Sequence, residues 1–113
     1  MITLYGIRNC NKIRDTRRWL EQNKVPFTFV DLKKAPLTEE ELQKFERKVG
    51  LDTLVNRRGM KWRQLGLSKK DLSDSELFDL LLEHQVMIKR PLMTNGDAVL
   101  AGYDEDLFED FID

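Results

Sequence analysis

The residue with the clearest chemical potential is Cys10, the only cysteine in the 113 residues. It lies between two asparagines and among basic side chains, in the stretch GIRNCNKIRDTRRWL at residues 6–20. The thiolate is the nucleophilic form of cysteine, and nearby cations favour it over the thiol. The surroundings of Cys10 therefore favour a reactive nucleophile. The alternative is that Cys10 is a small buried apolar residue, as free cysteines often are.

The pattern around Cys10 places it at the start of a helix. The apolar run ITLY and the following Gly6 predict a strand, and the spacing of Ile13 and Leu20 predicts a helix over about residues 11–22. Free backbone N–H groups and the positive end of the helix dipole would then face the sulfur.

The basic residues beside Cys10 suit an anion. Arg14, one turn into the predicted helix, and Lys12 or Arg8 would add positive charge to the N–H groups of the helix start. Such donors bind phosphate-like oxyanions. The sequence thus predicts a nucleophile beside an oxyanion pocket.

The elements that would position this site follow in a definite order. FTFVD at residues 27–31 alternates like a strand, so the first part of the chain predicts a βαβ unit with parallel strands. Capping-box patterns begin two helices, Thr38 with Glu41 and Ser73 with Glu76. Towards the end, Asn95-Gly96 between apolar runs indicates a type I′ hairpin. Leu107, Phe108, Phe111 and Ile112 share one stripe of a final helix.

This order predicts one α/β domain over residues 1–113. Its βαβ…ββα core, at about 1–35 and 86–113, is that of a thioredoxin-like fold, and a helical subdomain is inserted at about 37–85. A chain of this length is typical of a single domain.

Composition narrows the class of protein. The formal net charge is −1, which disfavours direct nucleic-acid binding, but the charge is uneven. Residues 1–24 hold six basic and two acidic side chains, whereas residues 103–113 hold six acids and no base. No apolar run long enough to span a membrane and no secretory signal are evident, so we expect no membrane association and a cytoplasmic protein. One cysteine and one histidine make a poor metal-ligand set, so no metal or bound organic cofactor is expected.

Four segments together resemble the ArsC family, which includes glutaredoxin-coupled arsenate reductases and the Spx regulators. They are YGIRNCNKIRDTRRWL, LVNRRGMKWRQLGL, MIKRPLM and AGYDED, in order along essentially the whole chain. The family's fold is thioredoxin-like with a helical insertion. The chain looks closest to a little-characterised branch of probable thiol reductases with a single cysteine.

The resemblance implies roles for five residues. Cys10 would be the catalytic nucleophile and Arg90, in IKRP, an oxyanion-binding arginine. Arg57, in NRRG, matches a second such arginine, with Arg58 as the alternative. Pro91 looks like the family's cis-proline, which lies beside the cysteine in this fold.

The chain also departs from the family's patterns. Gly6 stands where arsenate reductases have a histidine, and Gly102 or Tyr103 stands where a third substrate arginine should fall. Ile13 replaces the second cysteine of the CxxC switch in many Spx regulators, which excludes an internal disulfide. The single histidine, His84, is expected to cap or pack at a helix end rather than to act as a base.

Two functions remain open at this point. The first is a cytoplasmic thiol oxidoreductase that resembles arsenate reductase, acts on a small oxyanion or a disulfide, and is regenerated by glutathione or glutaredoxin. The second is an Spx-like regulator that binds RNA polymerase without catalysis.

Overall fold

The computed structural model describes residues 1–112, and the chain divides into two compact units. The core unit comprises residues 1–35 together with the chain from Arg90 onward, and the helical unit comprises residues 36–89. The chain was expected to return to the core at about residue 86. In the structure this boundary lies between Lys89 and Arg90.

The core unit is built on a four-stranded mixed sheet with the strand order β2-β1-β3-β4. Strands β1 (Ile2–Gly6) and β2 (Phe27–Asp31) are parallel and are joined by helix α1 (Asn11–Gln22), which confirms the predicted βαβ unit. Strand β3 (Leu92–Asn95) runs antiparallel to β1, and β4 (Ala98–Ala101) runs antiparallel to β3.

Helix α1 and the final helix α6 (Glu105–Phe111) pack on the same cluster of sheet residues. The rings of Trp19 and Phe108 meet edge to face, with 5.3 Å between their centroids. Leu107 was expected on the buried stripe but is 49% exposed, because Phe108 alone in α6 reaches the fully buried layer. The buried members of this core are Ile2, Leu4, Ile13, Trp19, Leu20, Met93 and Phe108.

The hairpin between β3 and β4 is displaced by one residue from its predicted position. Asn95 pairs with Ala98, so the two loop residues are Gly96 and Asp97 rather than Asn95 and Gly96. Gly96 has a φ of +62°, and Asp97 does not share a positive φ. A positive φ at the first loop residue alone is the pattern of a type II′ turn, so the predicted type I′ turn is wrong. The Asn95 side chain instead donates to the carbonyl of Phe111, at 2.8 Å.

The helical unit contains helices α2 (Glu39–Val49), α3 (Leu51–Leu54), α4 (Met60–Gln64) and α5 (Asp74–Glu83). Short 3₁₀ turns follow α4 and α5, at residues 67–69 and 85–87. Both predicted capping boxes are present, at the starts of α2 and α5. Within residues 1–112, no helix is long and apolar enough to cross a membrane.

Hydrogen bonds tie the beginning of the helical unit to its final segment. The Gln85 side-chain amide accepts a hydrogen bond from the backbone N–H of Leu37 and donates one to the Leu37 carbonyl, both at 2.8 Å. Near the same end, Val55 forms a β-bridge with Ile88.

Candidate functional site

Cys10 is the N-cap residue of α1. Its backbone is extended, with φ −134° and ψ 125°, and its carbonyl accepts a hydrogen bond from the N–H of Arg14 at 3.0 Å. The side chain is half-buried, packs against the core cluster and makes no capping hydrogen bond. No acidic residue occupies the first turn of α1, so no carboxylate there offsets the positive helix end. The sulfur therefore lies beside the positive end of α1, a position that favours an anion.

The first turn of α1 also holds two of the predicted anion-binding residues. Arg14 donates from its guanidinium to the side-chain oxygen of Asn11, which fixes its charge beside the helix start. Lys12 is exposed, and its backbone carbonyl accepts from the Thr16 hydroxyl at 2.6 Å. Both cations are thus on the turn that follows Cys10, as the helix prediction requires.

Arg8 is paired, which the sequence interpretation did not anticipate. Its Nε lies 3.6 Å from Oδ2 of Asp31, the last residue of β2. The Asp31 side chain is 12% exposed and that of Arg8 is 66% exposed. The charge of Arg8 is therefore offset locally and does not add fully to the field at Cys10.

Gly6 is required by close packing of α1 on β1. A Cβ atom added at this position would lie 2.2 Å from Cδ1 of Ile13, a side chain that is completely buried. A histidine here, as in arsenate reductases, would require the Ile13 side chain or helix α1 to shift. The departure at Gly6 is thus a consequence of how this helix packs.

The Arg90–Pro91 peptide bond is cis, as the resemblance implies. Pro91 is buried, and its carbonyl accepts a hydrogen bond from the N–H of Gly102 at 2.8 Å. Arg90 is half-buried and belongs to the same compact unit as Cys10. Its role in binding an oxyanion stays a prediction.

Arg57 and Arg58 belong to the helical unit. The Arg57 guanidinium donates to Asp52 at 2.9 Å and lies over the Trp62 ring, 5.5 Å from its centroid. Arg57, Asp52 and Trp62 also line a cleft of about 510 Å³ within this unit. Arg58 is exposed, and its backbone N–H donates to the Asn56 side chain. The choice between the two arginines as oxyanion ligands stays open.

Tyr103 occupies the region where the family's third arginine is expected. Its hydroxyl donates to Glu105 at 2.5 Å, and this hydrogen bond, with some burial, raises the pKa of the phenol to about 12. The neighbouring Gly102 has a φ of +103°, a backbone conformation that would be strained in a residue with a side chain. Neither residue offers a cation to an anionic substrate.

His84 ends helix α5, as expected of a capping residue. Its backbone N–H donates to the Leu80 carbonyl, and its Nε2 lies 3.8 Å from the Glu83 carboxylate.

In the part of the chain that the structure describes, no group of three or more His, Cys, Asp or Glu side chains could hold a metal ion.

Sequence reasoning missed the acidic partners of two candidate arginines and of Tyr103. Asp31 pairs with Arg8, Asp52 with Arg57 and Glu105 with Tyr103. A signal existed for Asp31, because parallel strands end at the same edge of a sheet and β2 ends at this residue.

These features define a class of protein. A mixed β2-β1-β3-β4 sheet, a cysteine at the start of the first helix and a cis-proline before β3 belong to an α/β, thioredoxin-like fold. Within that class the chain belongs to the ArsC family, whose model matches residues 5–111.

Relatives include proteins of different described roles. The uncharacterized protein YusI of Bacillus subtilis is 35% identical over 113 residues, which cover 96% of each chain. The global transcriptional regulator Spx of Streptococcus pneumoniae (strain R6) is 30% identical, covering 99% of this chain and 86% of the regulator. The solution structure of an arsenate reductase (ArsC) related protein from Brucella melitensis is 32% identical, with a TM-score of 0.78. That match covers 97% of this chain and 92% of the Brucella protein.

Proposed function

We propose that the protein is a cytoplasmic thiol oxidoreductase that resembles glutathione- or glutaredoxin-dependent arsenate reductases. The observation that carries this proposal is the position of Cys10. It precedes the first turn of α1, its side chain makes no capping bond, and the first turn lacks acidic residues. A thiol in such a place is suited to act as a nucleophile.

Cys10 begins the reaction by attacking an oxidised substrate. With a mixed disulfide, the thiolate forms a new S–S bond, and the displaced thiolate leaves and takes a proton from solvent. With arsenate, the sulfur replaces one arsenate oxygen, which leaves as water, and the two electrons that reduce As(V) to As(III) come from Cys10 and one further thiol. Arg90, with Lys12 and Arg14, stabilises the negative charge of the substrate.

The cycle needs a thiol from a second molecule. The sequence holds one cysteine, so an oxidised Cys10 cannot be resolved within the chain. In a mixed disulfide, glutathione attacks the outer sulfur and releases the Cys10 thiolate. In the arsenic adduct, glutathione attacks the Cys10 sulfur, which releases arsenite and leaves a Cys10–glutathione disulfide that glutaredoxin reduces. No resident cofactor takes part in these steps.

Turnover measurements test this proposal. Purified protein is assayed with arsenate and with glutathione mixed disulfides, each with and without glutaredoxin, and Cys10→Ser serves as the matched control. We expect turnover of at least one substrate that depends on Cys10. Absence of turnover for both substrates under all conditions would contradict an enzymatic role.

The second candidate is an Spx-like regulator that binds RNA polymerase without catalysis. It is supported by the similarity to Spx along 99% of this chain. Its test is a pull-down with RNA polymerase. Recovery of the polymerase by both the wild type and Cys10→Ser, without turnover in the assays above, would favour the regulator.

A further inference from the structure

The carboxylate of Asp31 is fixed at the edge of the sheet where the loop from Gly6 to Cys10 begins. Its Oδ1 accepts a hydrogen bond from the N–H of Lys33 at 3.0 Å, and its Oδ2 faces Nε of Arg8 at 3.6 Å. Its backbone carbonyl accepts from Lys34 and Ala35, at 3.0 and 2.8 Å. The side chain is nearly buried and has little freedom to turn away.

The same edge leads directly to the nucleophile. Asp31 is the register partner of Gly6, and the N–H of Leu32 donates to the Gly6 carbonyl at 2.8 Å. The loop from Gly6 to Cys10 contains Arg8, whose Cα can be at most about 7 Å from that of Cys10. The pair therefore lies at the segment that directly precedes Cys10.

We propose that Asp31 is a positioning and specificity-determining residue for Cys10. By holding Arg8, it fixes the loop before the nucleophile and limits how strongly the site prefers anionic over neutral reactants. This inference rests on the proposed role of Cys10 as the reacting group.

The charges next to the loop from Gly6 to Cys10 are mostly positive. Besides the Arg8–Asp31 pair, the segments nearest the loop carry the cations Lys12 and Arg14 in the first turn of α1, Lys33 and Lys34 after β2, and Arg90 before β3. The pair adds no net charge to this set. Loss of the Asp31 charge leaves Arg8 unopposed, whereas loss of Arg8 leaves a carboxylate that repels anions. The two changes should therefore act in opposite directions.

The fold should tolerate both changes. The pair is partly exposed through Arg8, and ion pairs of this kind contribute little to stability. Asp31→Asn retains an oxygen that can accept from Lys33, so the turn after β2 keeps its hydrogen bond.

The test compares alkylation of Cys10 by anionic iodoacetate and neutral iodoacetamide at low ionic strength. Both reagents consume the thiolate, so the ratio of their rates reports the local charge rather than the thiolate fraction. For a unit charge about 10 Å away in a water-like dielectric, the ratio should change roughly twofold. We expect the ratio to rise in Asp31→Asn, to fall in Arg8→Gln and to return near the wild-type value in the double variant. These differences should shrink at high salt.

Two controls separate a specific effect from a general one. Arg8→Lys keeps the charge and should keep the ratio. Glu21→Gln removes an exposed acid near the end of α1, about 16 Å along the helix from Cys10, and should change the ratio clearly less than Asp31→Asn does.

An unchanged ratio in Asp31→Asn, or shifts in the same direction in both single variants, would overturn the proposal. If Asp31→Asn fails to fold, Arg8→Gln against Arg8→Lys decides, and equal ratios in those two would also overturn it. The readout needs no turnover, so a catalytically inactive protein with the expected pattern of ratios would contradict the proposed function alone.

Discussion

Arg90 is the residue whose side chain should matter most to an anion at Cys10, because it directly precedes the cis-proline in the core unit. We expect Arg90→Ala to weaken the protection that sulfate or arsenate gives Cys10 against alkylation by roughly tenfold, as for loss of a charge-assisted hydrogen bond. Arg90→Lys should restore part of the protection, because it keeps the charge but lacks the planar guanidinium. Protection in Arg90→Ala equal to that of the wild type would remove this arginine from the site.

Tyr103 should make the stability of the protein sensitive to alkaline pH. The hydrogen bond to Glu105 raises the pKa of Tyr103 from about 10 to about 12 in the folded state. The stabilisation is fully present below about pH 10 and is lost as pH rises towards 12, because the unfolded phenol ionises first.

Tyr103→Phe is the matched variant for this effect, because it keeps the ring that lies edge to face with Phe108. Unfolding by urea at pH 8 and at pH 11 should show that the advantage of the wild type over Tyr103→Phe shrinks at the higher pH. If the difference in stability between the wild type and Tyr103→Phe is the same at both pH values, the hydrogen bond to Glu105 does not raise the pKa of Tyr103.

At the residue scale, the position of Cys10 was easier to predict than its surroundings. Cys10 is unique in the sequence and stands between a strand pattern and a helix pattern, so its N-cap position followed from local spacing. The cis-proline followed only from resemblance, since an X–Pro sequence does not determine the isomer. The pairing of Arg8 with Asp31 joins residues 23 positions apart, so the only signal for it was the predicted parallel pairing of β1 with β2, which ends at Asp31.

At the element scale, the contact between β1 and α1 should be intolerant of added volume. Gly6→Ala places a methyl group against the Ile13 side chain and should lower the free energy of unfolding by about 1–3 kcal/mol. The combination with Ile13→Ala removes the clashing atoms, so the double variant should be more stable than the sum of the two single effects predicts. Strict additivity in urea denaturation would show that the two residues do not meet.

Elements with strong terminal signals were predicted well, and those that depend on tertiary contacts were not. The capping boxes of α2 and α5 are confirmed because each is satisfied within four residues. The hairpin was wrong by one residue, since pairing of β3 with β1 fixes Asn95 in the ladder and its side chain anchors Phe111. Leu107 fits the helical period but lies outside the buried face of the short helix α6.

For the whole molecule, the single thiol predicts a one-to-one mixed disulfide with glutathione. Oxidised glutathione, or mild peroxide followed by glutathione, should add one glutathione at Cys10, and a monothiol-competent glutaredoxin should remove it. Intact-mass analysis measures the adduct, with Cys10→Ser as the control. A protein that stays unmodified, or forms only a disulfide-linked dimer that glutaredoxin cannot reduce, would exclude this cycle.

The overall architecture could be predicted because the order of elements restricts the topology. A βαβ unit followed by helices, a hairpin and a last helix leaves few ways to build one sheet. The order of elements does not show whether Arg57 or Arg58 would bind an oxyanion. It does not predict which residues of a helical insertion contact a distant loop. In the structure Arg57 is bound to Asp52 in its own unit, a contact across five residues that competes with any anionic ligand.

The double hydrogen bond between Gln85 and Leu37 has a consequence for how this chain can evolve. Because the two ends of the helical unit are neighbours, residues can be gained or lost between them without changing where that unit begins and ends. The residues that pair β1 with β3 lie outside this interval, so a change in the length of the interval does not alter the register of the two strands. Over long divergence, differences in length among related chains should therefore accumulate between residues 38 and 84, while the spacing from β1 to Cys10 stays constant.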